Sequence, residues 1–154
     1  MKDGETTLWR RLDLPGHEIA SIFPEVDGWR LIGVALLVES GRSSRIEYDI
    51  WCDAQWKARR CVIRGQVGEQ RVSLDVERST SGVWSIGGAE MTALNGCDDI
   101  DLGFSPATHL SADRYLYESA GGAFRRELQV DAFGCVIDYP GLWHAEATSS
   151  LHFP

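Results

Sequence analysis

Three carboxylates crowd the run 98-DDID-101, and Pro106 and His109 follow within eleven residues of Asp98. If this stretch is extended, Asp99 and Asp101 project from one face, since strand neighbours alternate. Two carboxylates on one face suit a divalent cation, or hydrogen bonds from backbone N–H groups or an arginine. Paired with Glu18, either aspartate would form the two-carboxylate device of a glycosidase or esterase. That device needs the carboxyls roughly 5–9.5 Å apart in a cleft. Other chemistries lack their signatures. There is no G-x-S-x-G elbow, no H-E-x-x-H, no EF-hand spacing and no glycine-rich phosphate loop. The histidines, His17, His109, His144 and His152, stand in no nucleophile motif.

Aromatic content is the second unusual feature. Six tryptophans occur, at positions 9, 29, 51, 56, 84 and 143, each in or beside a candidate strand. On a curved sheet they would line a site for an apolar or sugar-bearing ligand, or they would form a Trp-rich core. Trp51 falls on the face opposite Ile46 to Cys52, so both faces of the sheet are expected to carry aromatic rings.

The elements that must position these residues repeat with a period of two. In 44-SRIEYDIWCD-53, 70-QRVSLDVER-78 and 126-RELQVDAFG-134, apolar and polar residues alternate, as in strands with one buried face. Further strands are expected at 8–14, 17–23, 29–39, 55–65, 82–87, 99–104, 135–139 and 143–153. Turn residues separate them, among them Pro15-Gly16, Asp27-Gly28, Ser40-Gly41, Asn95-Gly96 and Pro140-Gly141. The one helix candidate, 107–118, fits a helical period poorly. The pattern is that of an all-β chain built on an antiparallel sheet.

The totals narrow the partners. A chain of 154 residues fits a single domain, 1–154. The net charge of −8 argues against nucleic acid and anionic membranes, although Lys57, Arg59, Arg60 and Arg64 cluster in sequence. The cysteines, Cys52, Cys61, Cys97 and Cys135, form no C-x-x-C pair and are expected to be small buried hydrophobes. No signal-peptide pattern opens the chain and no apolar run is long enough to span a bilayer. A cytoplasmic location is expected, with no cofactor or metal.

One block is more specific. Leu94, Gly96, Cys97, Asp99, Ile100, Asp101, Leu102, Ser105, Pro106, Thr108, Arg114 and Leu116 fall on a frame that resembles the bacterial family described as "putative glycolipid-binding". Trp9, Gly16 and Glu18 resemble that family's opening, Tyr48-Asp49, Trp56 and Arg59 its middle strands, and Cys135 to Pro140 its closing strand. The resemblance implies a long, curved antiparallel sheet with little helix, an incomplete barrel similar to lipoprotein carriers, around an apolar cavity. It implies non-catalytic binding of an amphiphile, a glycolipid or fatty-acyl compound. Trp29, Trp51, Trp56 and Trp84 would line the wall; Glu18, Asp99, Asp101, His109 and Arg114 would stand at the rim. His109 replaces the family's asparagine, and Ala112, Asp113 and Tyr115 also depart from its frame. Arg114 would fork onto a head group or pair with Asp99 or Asp101. The rivals are a carboxylate hydrolase and a structural or homodimeric domain whose Trp-rich face is an interface.

Overall fold

The computed structural model describes residues 4–107, 114–119, 124–131 and 134–151, without the side chains of residues 114–119, 124 and 125. Its strands are β1 (Gly4–Arg11), β2 (Gly16–Glu25), β3 (Gly28–Glu39), β4 (Arg42–Asp53), β5 (Ala58–Val67), β6 (Gln70–Arg78), β7 (Trp84–Ile86), β8 (Ala89–Glu90), β9 (Arg114–Ser119), β10 (Phe124–Val130), β11 (Val136–Tyr139) and β12 (Trp143–Leu151). All pair antiparallel in one sheet, ordered β8-β7-β6-β5-β4-β3-β2-β1-β12-β11-β10-β9. Among the described residues β8 and β9 do not pair, so the sheet is an incomplete barrel, as the resemblance implied. The only helical turn there is a 3-10 turn, Thr92–Leu94, and no helix is long and apolar enough to cross a membrane.

Two sequential meanders meet at one seam. Strands β1 to β8 are joined by short turns, β9 to β12 pair in chain order, and β1 pairs with β12 from Gly4↔Leu151 to Arg11↔Trp143. The β3–β4 turn shows how local sequence sets register. Ser40 and Gly41 both have positive φ, 51° and 72°, which lets a two-residue loop match the twist of its strands. Bulges interrupt β1/β12 at Leu8/Trp9 and β4/β5 at Trp51/Cys52. Such extra residues bend a strand and increase its twist.

Alternation then sorts the side chains. On the inner face Trp9, Ala20, Ile22, Leu31, Leu37, Ile46, Tyr48, Ile50, Cys61, Ile63 and Trp143 form one buried cluster. Trp9 ties the seam together by donating its indole N–H to the Val136 carbonyl (2.6 Å). The segment 99–104, expected as a strand, is irregular instead. It belongs to a run from residue 91 to 107 that crosses the inner face and adds Leu102 and Ala107 to the core, with Ile100 and Phe104 packed against it. The alternating look of 99-DIDLGF-104 thus comes from a loop that buries its apolar members without a partner strand. The helix candidate 107–118 gives strand β9 over its second half; residues 108–113 lie outside the described residues.

Candidate functional site

Glu18 is a carboxylate in the apolar phase of β2, alongside Ala20 and Ile22. Its side chain therefore enters the core, and the residue is 1% exposed. Tyr48, on the inner face of β4, donates its hydroxyl to Glu18 Oε1 (2.6 Å). Ser105 of the crossing loop donates to the same oxygen, and the Ala107 N–H holds the serine hydroxyl (2.9 Å). Glu18 Oε2 has no hydrogen-bond partner among the described residues. Burial pushes the Glu18 pKa up to about 7, and the two hydroxyl donors only partly oppose it. Burial, reinforced by the nearby Glu18, raises Tyr48 as well. The cluster is a polar centre in an apolar interior, and one of its acceptor atoms is unsatisfied.

Backbone geometry makes room for it. Gly33 is the cross-strand partner of Tyr48, and a Cβ there would stand 2.2 Å from the tyrosine oxygen. The phenol lies across the glycine and reaches Glu18 on the next strand. Phe104 of the loop meets Tyr48 edge-on, with centroids 6.1 Å apart and planes at 59°.

The loop is also fastened at residues 97 and 98. Trp84 donates its indole N–H to the Cys97 carbonyl (2.9 Å), and the Asp98 carbonyl accepts from the Ala58 N–H (3.0 Å). The Asp98 carboxylate takes Lys57 Nζ (2.9 Å) and Arg78 Nη2 (2.5 Å), which hold its pKa below the usual carboxylate range. Asp98 therefore anchors the loop through two ion pairs. Asp99 accepts the N–H of Ile100 (2.8 Å), and its pKa is raised, first by desolvation and then by Asp101 and Asp98. His109 and the side chain of Arg114 lie outside the described residues.

The tryptophans divide between locations. Trp29 and Trp56 stack on the inner face, 4.5 Å apart and 16° from parallel. Trp56 sits at φ 65°, a strained conformation for a bulky side chain. The turn around it is held by Asp53, which accepts from the N–H groups of Gln55 and Lys57 (2.9 and 3.0 Å). Trp84 is buried and secures the loop. Trp51 lies on the outer face, flanked by the guanidinium carbons of Arg30 and Arg60 at 4.8 and 5.6 Å from its ring centre. The four residues therefore do not form one wall. Beside Trp56, Asp99 and Ile100 the inner face holds a cavity of about 30 Å³, close to the share of volume of one water. Glu18 is likewise a floor residue beneath the loop and not a rim residue.

A second buried acid escaped sequence reasoning. Glu5 on β1 meets Asp131 and Cys135, and one ligand-type atom from each lies within 4.8 Å of the others. Burial, then the neighbouring Asp131, raises the Glu5 pKa to about 7. Cys61 and Cys135 are buried as expected, Cys52 is half-buried, but Cys97 is exposed. It lies in the irregular loop, where no alternation directs it inward.

A family model described as "Putative glycolipid-binding" matches residues 6–112, well over half of the chain. The chain belongs to that family. Glu18, Tyr48 and Ser105 all fall inside the matched span, and each comes from a different segment on which the resemblance rests. A crystal structure of a DUF1089 family protein from Pseudomonas aeruginosa is similar, with a TM-score of 0.69 and 25% identity, covering 82% of this chain and 91% of that one. No curated protein matches. Tyr48 and Ser105 were not singled out in the sequence as site residues. The available signals were Ser105-Pro106 closing the family block and Tyr48 in the apolar phase of β4.

Proposed function

We propose that the chain binds, without catalysis, an amphiphile whose hydroxyl-bearing head meets Glu18 and whose acyl chain takes the place of the crossing loop. A glycolipid has this composition. The observation that carries the proposal is Glu18 Oε2, an acceptor enclosed in an apolar interior and without a partner among the described residues. A buried polar group without a partner costs about 1–3 kcal/mol, and a sugar hydroxyl would remove that cost. The family description supports the same ligand class.

The loop resembles such a ligand in its contacts. Leu102 and Phe104 fill apolar space, and Ser105 supplies the hydroxyl. Loops beyond about 12–15 residues without regular structure are uncommon and are usually functional. Burial of Leu102 and Phe104 contributes roughly 1.5–3 kcal/mol each, whereas an eight-carbon chain contributes about 6 kcal/mol at ~0.8 kcal/mol per methylene. Loop and ligand are thus of comparable strength, and the hydroxyl latch on Glu18 tips the balance. Residues 1–154 act as one domain in this proposal, since both meanders share the sheet.

The test is a titration with octyl glucoside, read by native mass spectrometry and tryptophan fluorescence, with octanoate as the comparator. Octyl glucoside is expected to bind better than octanoate, Ser105→Ala to tighten it by about fivefold or more, and Glu18→Gln to weaken it. Absence of binding in all three proteins, or an affinity indifferent to both substitutions, refutes the proposal.

A further inference from the structure

Strand β3, 29-WRLIGVALLVE-39, is apolar on both faces. Its inward Leu31, Ala35 and Leu37 are buried, whereas its outward residues from 32 to 38 are Ile32, Val34, Leu36 and Val38. Ile32, Leu36 and Val38 are 36%, 52% and 38% exposed, and Ile19 beside them on β2 is 48% exposed. A near-continuous apolar strand is the pattern of one covered on both faces; here only the inner face is covered. Two adjoining grooves hollow the outer face, of about 550 Å³ around Ile32 and Val34 and about 580 Å³ around Leu36 and Val38. Contiguous exposed apolar surface of this kind marks an interaction site.

We propose that this face pairs two copies of the chain about a two-fold axis. A symmetric interface must be self-complementary, and the register of the sheet makes this one so. Ile19, Val34, Glu47 and Arg64 lie in one cross-strand row. With the axis lying over that row, Ile32 packs against Leu36 of the partner copy, and Arg45 meets the partner copy's Asp49. On β3 Ile32 meets Leu36 and Val34 meets its own copy, while Val38 meets Arg30; on β4 Arg45 and Asp49 bring opposite charges together, in addition to their pairs with Glu47 and Arg30 within one copy. Glu47 and Arg64 each face their own copy on the axis and are cross-strand neighbours, so each like-charge contact has the opposite charge beside it. The net charge of −8 disfavours an anionic bilayer as the occupant of this face.

Sedimentation velocity of the full chain from about 1 to about 100 µM tests the proposal. The expected result is a dimer that dissociates on dilution. Leu36→Glu and Ile32→Glu each weaken it at least about tenfold, while circular dichroism and thermal unfolding show that the fold is kept. Arg45→Glu weakens it less and makes the remaining association less sensitive to salt. A monomer at the highest concentration overturns the proposal, whether or not the chain then binds vesicles or another protein. A dimer untouched by both apolar substitutions overturns it equally.

Discussion

Replacing Glu18 by glutamine turns its environment into a measurable slope. In the folded chain the carboxyl titrates at about 7, against 4.5 for the unperturbed group. Between those values the folded state keeps a proton that the unfolded state has released. Stability therefore falls as pH rises through that window and is flat above it. Each pKa unit corresponds to 1.36 kcal/mol, so the full window amounts to about 3 kcal/mol. Glutamine carries no such proton, and Glu5 contributes equally in both proteins. Urea unfolding from pH 5 to pH 8 should show the wild type losing about 2.5 kcal/mol relative to Glu18→Gln, since part of the window lies below pH 5. At pH 5 the wild type should be the more stable, because the amide brings a further unpartnered N–H into the core. By pH 8 the order should narrow or reverse. A difference between the two proteins that does not change with pH would refute the reasoning. So would a wild type that gains on the variant as pH rises, since the hydroxyl donors would then outweigh desolvation.

Other substitutions probe the same centre and its supports. Tyr48→Phe removes one donor and should cost about 1–2 kcal/mol, with a steeper loss of stability above neutral pH, measured by the same urea series. Gly33→Ala places a methyl group where the Tyr48 phenol lies and should cost roughly 1–3 kcal/mol by overpacking, read as a lowered melting temperature. Trp84→Phe deletes the bond to Cys97; limited proteolysis should then cut within residues 92–105 well before the strands.

The strand framework was legible because one face of most strands is buried and the other wet. The alternation in 44-SRIEYDIWCD-53 and 70-QRVSLDVER-78 maps onto β4 and β6 almost residue for residue. The same rule misled at 99-DIDLGF-104, where apolar spacing of two arises from a loop packing on a finished sheet. Alternation put Trp51 on the far face from Ile46, and the structure agrees. Shared type alone grouped it with Trp29, Trp56 and Trp84, and residue type does not decide which face a ring occupies. The centre itself was half legible. Glu18 stood out as a charge, but its partners come from β4 and the crossing loop, 30 and 87 positions away in sequence. Such convergence is fixed by tertiary packing, which no local period encodes.

The β1–β12 seam has a kinetic consequence. Nearly every strand finds its neighbour through a short hairpin, so each meander can zip up from local contacts on a fast timescale. Gly4 and Leu151, by contrast, meet across almost the whole chain, and bringing such distant segments together carries the largest loop-closure entropy in the molecule. Refolding should accordingly be paced by the late docking of two preformed halves, and a circular permutant that joins these segments should fold faster while reaching the same sheet.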